Sequence, residues 1–260
     1  MSIRKAFVRG VFYPQTYEEI EHYIAHFNAA IKEPLPDVTP RALIVPHAGY
    51  ISSGYTANLA YVCASKHAYE RIVVIGPSHR VFIEGASIAV YETYETPCGA
   101  LDIDVSFSEL LRETFPVITH FPQAHTEHST ETQMPFIQHY FPHTKVIEIV
   151  YGKIDIKALS SLIDTLLETP KTLVVISTDL SHFYTQEEAA TLDTLCINAI
   201  KELSLESFGK SEACGMRGIQ AMVMSAKKHD FKAHLLDYRT SFERSRDATR
   251  VVGYTSFLFA

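Results

Sequence analysis

The sequence is poor in cysteine and spaces it widely. Cys63, Cys98, Cys196 and Cys214 form no Cys-x-x-Cys pair, which argues against a disulfide framework and for a reducing compartment. Lysine and arginine form no dense block, and the formal net charge is -7 with histidine neutral. A counterion-releasing nucleic-acid surface is therefore not expected. No apolar run exceeds strand length, so no transmembrane helix is expected. The opening MSIRKAFVRG holds no apolar signal core, and a cytoplasmic location follows as the expectation. No repeat of fixed period and no long linker are visible; Glu33-Pro34-Leu35-Pro36 reads as a short rigid turn. With 260 residues, 47% of them hydrophobic, the chain is long enough for one well-buried core and short for two. A single domain over 1–260 is the reading.

What the sequence has in plenty is histidine, 13 in all. Most are accounted for as surface or helix-face residues. A sharper reading applies where a histidine follows a buried strand. Runs at 42–45 (ALIV), 72–75 (IVVI), 146–150 (VIEIV) and 173–176 (LVVI) have the apolar character of strands buried on both faces. Helical patterns lie at 53–67, 106–114, 130–140, 155–168, 186–203 and 215–228, and two more strands at 231–238 and 250–259. This alternation predicts an α/β fold: a mostly parallel or mixed central sheet with helices on both faces.

Three of the buried runs end alike. The first leads into Pro46-His47-Ala48-Gly49-Tyr50, the second into Gly76-Pro77-Ser78-His79, and the fourth into Ser177-Thr178-Asp179-Leu180-Ser181-His182. In an open α/β sheet, ligands bind beyond the carboxyl ends of the strands. These loops should therefore deliver His47, His79, Asp179 and His182 to one crevice, with Gly49, Gly76, Pro77 and Ser78 shaping the turns. A single histidine after a strand is usually a hydrogen-bonded turn residue; three such loops in one chain favour a shared polar pocket. Imidazoles beside a carboxylate or thiolate suit a divalent transition metal.

Two further segments stay open on residue grounds. In Glu127-His128-Ser129-Thr130-Glu131-Thr132-Gln133, Ser129 or Thr130 reads as a helix cap, with Glu131 or Gln133 in the first turn. His128 is left either entering the pocket or not. Cys214-Gly215 stands before a helical run: the thiol is either a low-pKa ligand at a helix N-terminus or an inert buried group.

The ordered set PHAGY, GPSH, EHSTETQMPF, STDLSH and CG, with Gly10-Val11-Phe12-Tyr13-Pro14 near the start, resembles the Memo family over nearly the whole chain. The resemblance implies the fold of the class III extradiol dioxygenases, non-haem iron enzymes whose metal is held by two histidines and a glutamate. In Memo-like proteins a cysteine replaces the glutamate. Carried over, the implied metal ligands are His47, His79 and Cys214. Asp179 and His182 are the implied catalytic residues, His182 as the proton-moving base. His128, Tyr50 and Ser78 are placed as lining of the substrate pocket. Iron is the first expectation for the metal, with copper and zinc as alternatives, because a thiolate softens the site. After Cys214 this chain continues Met216-Arg217-Gly218-Ile219, unlike the animal proteins, which carry a His and a Pro there; Arg217 reads as a solvated helix residue or an anion contact.

The implied function is a metal-dependent redox enzyme acting on a small substrate, with AMMECR-type and radical SAM proteins as pathway partners and no membrane or nucleic-acid partner. The alternative is a non-catalytic ligand- or phosphopeptide-binding module on the same fold. Metal-assisted hydrolysis with Asp179 as base ranks third, since no His-Glu-x-x-His motif is present.

Overall fold

The computed structural model describes residues 2–260. The chain opens with β1 (Ile3–Arg4) and α1 (Tyr17–Ala29), the latter started by a Thr16/Glu19 capping box. Next come β2 (Ala42–Val45), α2 (Tyr50–Ser65) and β3 (Arg71–Pro77). The middle of the chain is made of short pieces: β4 (Ala86–Ile88), β5 (Thr93–Thr96), β6 (Gly99–Asp102), α3 (Val105–Thr114), β7 (Ile118–Thr119), α4 (His128–Glu131) and α5 (Met134–Tyr140). Then β8 (Lys145–Tyr151), α6 (Ile156–Glu168), β9 (Thr172–Ser177), β10 (His182–Tyr184), α7 (Gln186–Lys201) and α8 (Met216–Lys228) follow. β11 (Ala233–Thr240), α9 (Phe242–Ser245) and β12 (Val251–Phe259) complete it.

The main sheet has nine strands in the order β10-β12-β2-β9-β3-β8-β4-β7, with β11 paired to β12. Its centre, β2-β9-β3-β8, is parallel, while β12 on β2 and β4 on β8 run antiparallel. The mixed sheet expected from the sequence is the one observed. Alternate strand residues point to opposite faces, and here both faces are apolar. Leu43, Val45, Ile72, Val74, Leu173 and Val175 join the core that contains Ile20 and Ile24 of α1, Ala60 of α2 and Phe136 of α5. Ile44, Val73, Ile75, Val174 and Ile176 join the core formed with α6, α7 and α8. Helices on both faces are thus required by the strand composition.

Three features depart from the sequence reading. The helix expected over 130–140 is two helices, α4 and α5, because Pro135 in the first turn of α5 lacks an N–H and starts a helix rather than continuing one. A separate three-stranded sheet, β1-β5-β6, and helix α1 were not foreseen; strands of two to four residues carry too little pattern to read.

The strand order puts the site together. β9 lies between β2 and β3, and their carboxyl ends are level: Val45 pairs with Ser177, and Ile75 with Ile176. The three histidine-bearing loops therefore leave the sheet side by side.

Candidate metal centre

His47, His79 and His128 form the cluster. One ring nitrogen from each lies within 4.8 Å of the others. Their ring centroids are 5.2 Å (His47–His79), 5.3 Å (His47–His128) and 4.6 Å (His79–His128) apart. His47 is 2% exposed, and His79 and His128 are partly open to solvent.

Hydrogen bonds fix which nitrogen each ring offers. The Ser177 hydroxyl donates to the Ser129 carbonyl and accepts from the Gln133 amide at 3.0 Å. Its one proton is spent, so its 3.0 Å contact with His47 Nδ1 requires His47 Nδ1–H to donate. Glu127 plays the same part for the other two rings: its Oε1 lies 3.1 Å from His79 Nδ1 and 2.8 Å from His128 Nδ1. The three Nδ1 atoms are committed, which leaves Nε2 as the nitrogen each ring has available for a metal. A donor set oriented through the second nitrogen is how protein metal sites present histidine.

Charge supports this state. Burial, working against the nearby Asp179 carboxylate, lowers His47 to about 4, so its ring is neutral at pH 7. Glu127 is fully buried, and burial alone raises a carboxyl. Hydrogen bonds from His128, from His79 and from the His79 backbone N–H at 2.6 Å overcome that and hold it well below the usual carboxylate range. Glu127 also caps α4, accepting from the N–H groups of His128 and Ser129. The capping role expected of Ser129 or Thr130 falls to it instead: Ser129 donates to the Pro77 carbonyl and Thr130 to Glu148.

Cys214 stands beside the cluster. Its Sγ is 3.3 Å from His47 Nε2 and accepts from the Asp179 N–H at 3.2 Å. The low-pKa reading does not hold for the metal-free thiol. Burial, reinforced by Asp179, pushes it up to about 12. Gly215 brings it there: a Cβ at this position meets Thr178 Cβ at 2.6 Å, so only glycine lets α8 start against the end of β9. Gly76 does the same for α4, since its Cβ meets Ser129 Oγ at 2.6 Å. The glycines make room for the side chains of Ser129 and Thr178 rather than for a ligand.

The other sequence-selected residues are placed as follows. Asp179 Oδ1 accepts from the backbone N–H groups of His47 at 2.8 Å and Ala48 at 3.3 Å, and its Oδ2 lies 4.0 Å from His47 Nε2. His182 Nδ1 is 2.8 Å from the Leu180 carbonyl, so it carries the proton and Nε2 is free. His182 and Cys214 share the wall of a cavity of about 410 Å³. Ser78 is spent on its own turn, donating to the Val81 carbonyl at 2.6 Å. Tyr50 turns into the core, stacked on Phe136 at 4.5 Å with its hydroxyl donating to the Thr132 carbonyl. A separate cavity of about 660 Å³ lies against α1, α2 and β11, and none of the three histidines lines it.

Sequence reasoning missed the residues behind the cluster. Arg4, Glu131, Glu148 and His125 are buried, at 1% exposure or less. Arg4 pairs with Glu131 and, at 3.2 Å, with Glu148; His125 Nδ1 is 2.8 Å from Glu148, and its Nε2 is 2.9 Å from Ser87 Oγ. Glu131 further accepts from the Phe7 and Val8 N–H groups and from the Tyr13 hydroxyl. The one signal in the sequence was Glu148, a charged residue inside an otherwise apolar strand run.

A family model described as "Memo-like protein" matches residues 4–258. A MEMO1 family protein of Aquifex aeolicus is 32% identical, with all of both chains covered. One of Methanobrevibacter smithii is 31% identical, with 99% of each chain covered. Among solved structures, the crystal structure of uncharacterized protein JW3007 from Escherichia coli K12 matches with a TM-score of 0.57 at 11% identity, covering 85% of this chain and all of that one. That likeness concerns the fold.

Proposed function

This chain belongs to the Memo family, and from that premise we propose that it is a metal-dependent redox protein acting on a small substrate at the His47–His79–His128 cluster. The observation that carries the reading is the set of three imidazoles, each with Nδ1 committed to a neighbour and Nε2 left free. Three imidazole nitrogens are a complete protein ligand set for a divalent transition metal with positions left open. Cys214 is the fourth donor within reach, through its contact with His47 Nε2. Iron is the first candidate, with copper and zinc as alternatives. A bound ion of this kind polarises a substrate oxygen and, if iron or copper, exchanges electrons.

The protein's own residues supply the rest. Ser177 and Glu127 aim the rings. Asp179 fixes the loop that carries His47 by holding two of its N–H groups. His182 takes or returns a proton at Nε2, because its Nδ1–H is held by Leu180. The exposed faces of His79 and His128 and the cavity beside Cys214 give a substrate its approach. AMMECR-type and radical SAM proteins acting in the same pathway, in the cytoplasm, complete the proposal.

The test is purification without oxygen, followed by offering Fe(II), Cu(I) and Zn(II) in turn, with element-resolved mass spectrometry as the readout. Near-stoichiometric retention of one metal, lost in His47→Ala and His128→Ala, is expected. A protein that retains none of the three sinks the reading.

A further inference from the structure

Two cavities meet at Cys214, and their walls differ in charge. The one of about 410 Å³ carries His182 and Glu212. The other, about 370 Å³, carries Lys153 and Arg217 and no carboxylate, and it runs from these cations to Ser78 and Cys214. Its remaining wall is mainly apolar, including Phe82, which is 76% exposed.

Arg217 is held in place without being used up. Its Nη1 donates to the Ile154 carbonyl at 2.8 Å; among the described residues its other N–H groups meet no acceptor. A guanidinium anchored at one nitrogen has lost much of its rotamer freedom, and less entropy remains to be lost when it binds an anion. Lys153 sits 3.6 Å from Glu84, with both side chains mostly exposed. Such a pair is worth little in water and exchanges readily for another partner. Arg217 is therefore the principal cation and Lys153 a shared one, a balance that suits a single negative charge better than a doubly charged phosphate.

We propose that this cavity binds a small organic carboxylate, with its charged end on Arg217 and Lys153 and its apolar body along Phe82 and Met216, so that its far end reaches Ser78 and Cys214 beside the histidine cluster. Only the last clause rests on the metal reading; binding of the carboxylate itself needs no metal. The site thereby selects substrates by charge, through Arg217.

The experiment is a titration of the metal-free and zinc-offered full-length protein with 3-phenylpropionate, its neutral amide 3-phenylpropanamide, and inorganic phosphate, followed by saturation-transfer NMR and calorimetry. The carboxylate is expected to bind at least about 10-fold more tightly than the amide, the usual size of a charge-assisted contact. Arg217→Met should bring the two to parity while the melting temperature holds. Equal binding of acid and amide by the wild type overturns the proposal, as does an Arg217→Met protein that keeps the preference. Phosphate binding more tightly than the carboxylate overturns the assigned class. If Arg217→Met fails to fold, Lys153→Met decides, because that side chain is exposed: a threefold or greater weakening supports the site, and no change overturns it. Metal uptake is scored separately. Carboxylate preference without metal retention defeats the metal reading alone, and metal retention without carboxylate preference defeats this proposal alone.

Discussion

Two clusters of histidine and carboxylate share one turn of helix, α4, and they differ in what they leave over. On one side Glu127 and His128 face the candidate metal centre. On the other, Thr130 and Glu131 enter the buried network of Arg4, Glu148 and His125. In the network every charged group has an opposite charge, and His125 uses both nitrogens, one on Glu148 and one on Ser87. At the centre, carboxylate and hydroxyl take the Nδ1 side of each ring, while on the other side His47 Nε2 meets the Cys214 thiol at 3.3 Å and the Asp179 carboxylate only at 4.0 Å. Nearly the same side chains thus make a closed structural unit and an open donor set. The lesson is that the second nitrogen, not the presence of histidine and glutamate, separates a ligand site from a strut.

The largest effect expected from breaking this comparison is on the closed side. Arg4→Ala strips the cation from two buried carboxylates, and a buried pair broken from one side costs roughly 3–5 kcal/mol. Chemical denaturation should show that loss. A change under 1 kcal/mol would mean that the network is solvated. Acid probes the same unit more gently. Burial raises Glu148, but Arg4 and His125 outweigh it and hold it at about 2, against 4.5 as the ordinary value. A carboxylate depressed in the folded state stabilises above its unfolded pKa. That contribution, on the order of 3 kcal/mol, should therefore disappear as pH falls from about 4.5 to about 2. A Glu148→Gln protein should have a flatter stability profile in this window, and an unchanged slope would exclude Glu148 as the titrating group.

The open side is expected to respond in metal affinity more than in stability. Glu127→Gln keeps the shape but weakens the hold on His79 and His128; loss of such an outer partner typically costs about 10–100-fold in metal affinity. Competition with a chromophoric chelator measures it, and an affinity within twofold of wild type would show that the rings are aimed by something else. The smallest effect asks whether Cys214 joins the three imidazoles. A thiol near 12 must release its proton to bind as thiolate. At pH 8, zinc titrated calorimetrically in buffers of different ionisation enthalpy should release about one proton from the wild type and about none from Cys214→Ser. Equal release from both would leave the three histidines as the whole set.

The sequence alone determined the scaffold and half of the centre. Continuous apolar runs such as ALIV and LVVI can be satisfied only by a sheet covered on both faces, and the strand-end rule then brings His47, His79, Asp179 and His182 to one edge. Those are local signals, written within a few residues of where they act. Tertiary structure decided the rest. Glu127, Glu131 and Arg4 belong to residue types that are normally solvated, and nothing near Arg4 in sequence shows that it will be buried against carboxylates 127 and 144 residues away. His128 could not be assigned until α4 had been packed on β3, which depends on Gly76 having no Cβ. Whether an imidazole is a donor to a metal or a member of a closed network depends on what meets its second nitrogen, and that partner comes from a distant part of the chain.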